Sequence, residues 1–210
     1  LQIRIMFKCT KPITTNDQLR TLWGQALIGM KWAFLRKGPL SVGIQQGCMF
    51  ARSREQEKTP DIQFHFGTLS ADMTAGKPHK WPGFTMSVCQ LRPSSRGELR
   101  IRSKNPNDAP LIEPNYLATE EDRQTMVRGF KMARKLAASQ AMAGYIAEEY
   151  NPGVSVQTEE DMLDFVRRNG SSPGTHRNAG PGPVPPAAAF PASLCAMSGN
   201  PSPWPNARRP

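Results

Sequence analysis

The sequence predicts an α+β fold: an antiparallel β-sheet with helices packed on one face, followed by a disordered Pro/Ala-rich tail. Three observations carry the prediction. Short runs alternate apolar and polar residues, longer runs show helical spacing behind acidic caps, and the composition changes abruptly at Ser171. With 210 residues, 38% of them hydrophobic, the chain can bury one ordinary core, and one domain is expected over residues 1-170.

Leu1 to Cys9 sets Ile3, Ile5 and Phe7 against Gln2, Arg4, Met6 and Lys8, a strand with one apolar face. Beyond Pro12, Asn16 or Asp17 is placed to cap a helix in which Leu19, Leu22, Trp23, Ala26, Leu27, Met30 and Phe34 form one buried stripe. Arg36 and Lys37 suit its C-terminal dipole, and Gly38-Pro39 ends it. Leu40 to Ser53 begins glycine-rich and ends strand-like. There Gln45 and Gln46, beside Gly47, either present amides to a cavity or belong to an ordinary bulged strand.

A charged connection, Arg54 to Lys58, leads to Thr59-Pro60-Asp61-Ile62-Gln63-Phe64-His65-Phe66-Gly67. Ile62, Phe64 and Phe66 alternate with Asp61, Gln63 and His65, the pattern of a half-buried strand whose polar face can meet a ligand. From spacing alone His65 is either an ordinary satisfied histidine or a site residue. The breaker-rich segment from Gly76 to Gly83 is expected to be a loop. Phe84 to Leu91 and Glu98 to Ser103 are expected to pair as an antiparallel hairpin, with Leu99 and Ile101 facing the core. Pro106, Pro110 and Pro114 favour an extended edge after it.

Thr119 and Asp122 open a long helix expected to reach Ile146, with Met126, Val127, Phe130, Ala133, Leu136 and Ala137 on its buried face. Thr158 to Asp161 caps a shorter one carrying Met162, Phe165 and Val166, stopped by Gly170. Both acidic starts are read as caps, not as paired catalytic carboxylates. Residues 171-210 hold half of the 20 prolines and no Asp or Glu. Either a natural linker or a shifted reading frame of GC-rich coding sequence has such a composition, and the second is favoured.

The net charge of +10 raises the question of an anionic partner, but the basic residues are scattered and form no arm, which argues against specific nucleic-acid binding. Cysteines at positions 9, 48, 89 and 195 have no metal-ligand spacing and are expected to be buried and reduced. The start at Leu1-Gln2-Ile3-Arg4 has the look of a cut from something longer. No signal peptide or membrane span is visible, and a cytoplasmic location is expected. There is no G-x-G-x-x-G, phosphate loop or G-x-S-x-G elbow, and His65, His79 and His176 lie far apart without a nucleophile partner.

Several segments, in this order and spacing, together resemble the substrate-binding half of the glucose–methanol–choline (GMC) oxidoreductases, most closely the choline-dehydrogenase and alcohol-dehydrogenase branch. They are Leu1-Gln2-Ile3-Arg4, Gly38-Pro39-Leu40, Thr59 to Gly67, Leu91-Arg92-Pro93-Ser94-Ser95-Arg96-Gly97, Pro110 to Leu117, and Asp161 to Gly170. The resemblance implies a parent that binds FAD in a separate N-terminal domain and oxidises a small-molecule alcohol by hydride transfer to the flavin, while a histidine near the C-terminus takes the hydroxyl proton. It implies that His65 is a substrate-pocket residue and that Gln46 stands where choline-oxidising members carry a carboxylate for the trimethylammonium group. An amide offers a dipole but no charge, so a neutral primary alcohol is expected in preference to choline.

The family continues into His-Pro-x-Gly-Thr-Cys-Arg, where this chain has Ser171-Ser172-Pro173-Gly174-Thr175-His176-Arg177, with no histidine before the proline. His176 falls at the cysteine position and is not assigned as the base. Ser202 stands where the family has its second active-site asparagine. No catalytic residue and no metal ligand is therefore expected in this chain, and by itself it is expected to hold no FAD. The alternative classes are a non-catalytic binding module that retained the sheet and, less favoured, a basic nucleic-acid-binding domain.

Overall fold

Five strands form one antiparallel sheet in the computed structural model, which describes residues 1–72 and 76–171. The elements run β1 (Gln2–Cys9), α1 (Thr15–Leu19), α2 (Leu22–Leu35), β2 (Gln45–Ala51), β3 (Ile62–Gly67), β4 (Ala71–Asp72), β5 (Lys77–Pro78) and β6 (Gly83–Gln90). They continue with β7 (Glu98–Arg100), β8 (Leu111–Glu113), α3 (Glu120–Ala137), α4 (Gln140–Ala143), β9 (Ile146–Asn151) and α5 (Glu159–Asn169). The strand order is β2-β3-β6-β1-β9, so the first strand of the chain lies inside the sheet. Of the tail expected over residues 171–210, Ser171 is described and bridges Gln2, and residues 172–210 lie outside the described residues.

One face of the sheet is covered. Ile3, Ile5 and Phe7 of β1, Ile62 and Phe64 of β3, and Met86 and Val88 of β6 pack with Met126, Val127, Phe130 and Ala133 of α3 and Met162, Phe165 and Val166 of α5. Phe130 and Phe165 meet edge to face at 5.8 Å between centroids and lock the two helices together. Helix α3 approaches the sheet closely because Gly129 faces it: a Cβ there would stand 2.7 Å from Val88 Cγ1 and 3.0 Å from Ile62 Cδ1.

The caps are local and fall where the sequence places them. Thr119 Oγ1 accepts from Asp122 N at 3.3 Å, and Thr158 and Asp161 form a capping box on α5. Asp122 also ties α3 to the segment after β6. It accepts from Ser94 N at 2.8 Å, Ser95 N at 2.7 Å and Gln90 Nε2 at 2.8 Å, and from both serine hydroxyls. Burial alone would push its carboxyl pKa up, but these hydrogen bonds, Ser95's first among them, hold it far below the ordinary carboxylate range.

Four expectations need correction. The helix after Pro12 is two helices: Thr14 caps α1 and Thr21 caps α2, while buried Asn16 bonds Ser70 O, Ser70 N and His79 O. The stripe from Leu22 to Phe34 is exposed, and Ile28 is the buried residue of α2. β6 does not pair with Glu98–Arg100. It lies between β3 and β1, while β7 pairs with β8 as a separate ribbon that leaves Leu99 and Ile101 65% and 86% exposed. Finally, α3 ends at Ala137, and β9 occupies the end of the expected long helix. Arg134 of α3 holds β9 in place by two bonds to Glu149, at 2.8 and 2.7 Å, with further bonds to Val156 O and Gly153 O.

Candidate functional site

The face of the sheet turned away from α3 and α5 carries the polar positions: Ser87, Cys89 and Gln2 on it are buried, and His65, Gln63 and Arg4 are half-buried. Antiparallel register sets Cys48, His65, Ser87 and Arg4 in one row across β2, β3, β6 and β1, and Phe50, Gln63, Cys89 and Gln2 in the next. At about 4.8 Å between strands each row spans roughly 14 Å. Ile62, Phe64, Met86, Val88, Ile3 and Ile5 occupy the alternate positions and anchor the face from beneath.

Asp61 fixes the entry to β3. Its carboxylate accepts from Ser53 N at 2.7 Å and Ser53 Oγ at 2.6 Å, and its backbone N–H donates to Ala51 O. His65 is half-buried, and among the described residues it has no hydrogen-bond partner. Burial lowers its pKa below the usual histidine value, so at neutral pH the ring is uncharged, with one nitrogen to donate and one to accept. Gln63 Nε2 donates to Cys48 Sγ at 3.0 Å. Burial likewise lowers the pKa of the half-buried Arg4 guanidinium, and no carboxylate pairs with it among the described residues. Gln2 Nε2 is buried without a partner.

Gln46 lies on β2 at a bulge. Gln45 pairs with Gly67 and Gly47 with Phe66, which leaves Gln46 as the extra residue, exposed and outside the ladder. It shares the β2–β3 end of the sheet with His65, but no hydrogen bond joins the two. Two concavities, of about 550 and about 290 Å³, are lined by Ile101 to Pro110 and by residues around Arg134 and Ile146, and neither includes His65 or Gln46. The candidate site is thus described as a face of the sheet.

Ser87 and the row position of Arg4 are missing from the sequence reading. Alternation in Phe84 to Leu91 was visible, but the pairing of β6 with both β3 and β1 was needed to bring Ser87 beside His65. His79 is elsewhere, stacked on Trp81 at 4.3 Å and edge-on to Tyr150 at 5.1 Å. Of the cysteines, Cys9 and Cys89 are buried, Cys48 is exposed, and all three are free. Cys195, His176 and Ser202 lie outside the described residues. Among the described residues no group of three His, Cys, Asp or Glu could hold a metal ion, and no helix is long and apolar enough to cross a membrane.

The family model for GMC oxidoreductases, in its C-terminal part, matches residues 93–180. The oxygen-dependent choline dehydrogenase of Staphylococcus haemolyticus (strain JCSC1435) is 37% identical over 175 residues, which cover 82% of this chain and 30% of that protein. That of Staphylococcus aureus (strain JH9) is 32% identical over 197 residues, 92% of this chain and 34% of that one. The chain belongs to the GMC oxidoreductase family. It spans about a third of the length of the curated GMC relatives it matches.

Solved structures share this fold. Formate oxidase of Aspergillus oryzae RIB40 superposes with a TM-score of 0.70 at 17% identity, covering 80% of this chain and 34% of that one. An FAD-dependent oxidoreductase from Chaetomium thermophilum gives 0.62 at 17% identity, covering 80% and 35%. The α+β architecture, an antiparallel sheet with helices on one face, is therefore that of the C-terminal part of a GMC oxidoreductase.

Proposed function

We propose that this chain supplies the substrate-facing part of an FAD-dependent GMC oxidoreductase that oxidises a primary alcohol to its aldehyde. One observation carries the reading: His65, half-buried and without a partner among the described residues, stands within the polar face of a sheet whose other face is filled by helices. A face of this kind is built to be covered. The buried, unpartnered Gln2 Nε2 in the neighbouring row and the unpaired Arg4 fit a polar group lying over it.

FAD, when bound, would accept hydride from the alcohol carbon. The chain's own part is to bind and orient. Neutral His65 donates one hydrogen bond to the alcohol oxygen, and Ser87 and Gln63 bound the space beside it. Gln46 replaces a charge with an amide dipole, so a neutral alcohol is preferred to choline. His65 is a binding contact, and the base that takes the hydroxyl proton is not among the described residues. The three free thiols fit a reducing, cytoplasmic setting.

The test is a chimera. Residues 1–170 replace the corresponding third of the Staphylococcus haemolyticus relative, which keeps its own flavin-binding part and C-terminal end. Anaerobic addition of a neutral primary alcohol is expected to bleach the flavin at about 450 nm faster than choline does. A flavin-loaded chimera that is reduced by choline but by no neutral alcohol contradicts the assignment.

A further inference from the structure

Helix α2 is out of character with the rest of the domain. Leu22, Trp23, Phe34 and Leu35 are 84%, 72%, 82% and 62% exposed, and Val42 and Ile44 just beyond it are 55% and 57% exposed. Along the helix Ile28 is buried and Gly24, Gly29 and Trp32 are partly buried. The other residues of α2 are exposed. An exposed apolar patch of this kind marks an interaction surface.

The charge around the patch has one sign. From Gln18 to Arg54 there is no Asp or Glu, while Arg20, Lys31, Arg36 and Lys37 flank the apolar side chains. No carboxylate pairs with these four among the described residues. Arg36 instead lies over the Trp32 ring at 4.3 Å. The 14 residues of α2 make a rod of about 21 Å, shorter than the hydrocarbon core of a bilayer.

We propose that α2 and the turn after it form a docking surface for an anionic lipid bilayer, with the helix lying in the plane of the interface. Leu22, Trp23 and Phe34 enter the headgroup and acyl boundary, and the four cations meet lipid phosphates. A second copy of the chain is a poorer occupant. Two-fold pairing through this patch would bring two acid-free cationic rims together. The proposal does not rest on the flavin reading, since it is argued from the exposed side chains of α2 and the charges beside them.

The experiment is co-sedimentation of the 210-residue chain with vesicles of phosphatidylcholine, alone or with about a third phosphatidylglycerol. The expected result is a partition coefficient at least about tenfold higher on the anionic vesicles, reduced by high salt. The double substitution Trp23→Ser with Phe34→Ser should lower it at least about tenfold, while far-UV circular dichroism and Tm stay unchanged because neither side chain is in the core. Arg36→Gln with Lys37→Gln should weaken binding to anionic vesicles alone. Binding that ignores lipid charge and both pairs of substitutions overturns the proposal. So does failure to bind vesicles, or a stable dimer that the apolar substitutions dissociate while vesicles remain unbound.

Discussion

Replacing Asp122 tests how the covered side of the domain is held. The carboxylate is 1% exposed and accepts from two backbone N–H groups, two serine hydroxyls and the Gln90 amide. Asp122→Ala removes every one of those acceptors, and a buried donor left without a partner costs about 1–3 kcal/mol. With three N–H donors orphaned and some relaxation allowed, the loss should be about 3–5 kcal/mol. Asp122→Asn keeps one acceptor oxygen and should cost about 2–3 kcal/mol. The folded-state pKa is depressed, so the contribution is fully present above the unfolded carboxylate value and is lost as pH falls through the folded one. The gap between wild type and Asp122→Asn should therefore narrow as pH is taken from about 5 towards 2. Urea unfolding followed by circular dichroism measures it. A loss below about 1 kcal/mol at pH 7, or a gap that does not change with pH, refutes the reasoning.

Other outcomes follow from the same structure. Arg134→Ala breaks the bidentate pair with Glu149 and two bonds to backbone carbonyls, and should cost about 2–4 kcal/mol in urea unfolding, with early hydrogen exchange confined to β9 and the turn after it. In the chimera, Gln46→Glu should raise the preference for choline over a neutral primary alcohol by about tenfold or more, read from kcat/KM for both. The 210-residue chain alone should purify without yellow colour, and retention of stoichiometric flavin absorbance would contradict it.

The sequence was most legible where structure is local. The caps at Thr119 and Thr158 depend on residues three apart, and the alternation of Asp61 to Phe66 needs no partner to be seen. Pairing was not legible. β1 and β6 lie some eighty residues apart in sequence, and nothing in either strand says that Arg4 and Ser87 face each other or that His65 completes the row. β9 was hidden because the expected helix ran up to Ile146, and Ala147, Glu148 and Glu149 have low strand propensity. Arg134 and the Lys8–Glu148 ion pair help to hold it as a strand. In α2 the helical spacing predicted a buried stripe, but spacing carries no information about what lies opposite, and the described residues place nothing there.

The same limit governs the candidate site. His65 was visible as one polar residue on a strand. Its meaning depends on three other strands and on the emptiness of its hydrogen-bonding neighbourhood. Gln46 stands out only beside the carboxylate that the resemblance implies, and its place at a bulge keeps it outside the ladder.

The most direct measurement is steady-state kinetics of the flavin-loaded chimera with His65→Ala. If His65 is a substrate contact and not the base, KM for a neutral primary alcohol should rise about two- to tenfold while kcat falls by much less, since one lost hydrogen bond to a bound alcohol is worth about 0.5–1.5 kcal/mol. Unchanged KM and kcat would contradict the claim that this face of the sheet meets the substrate.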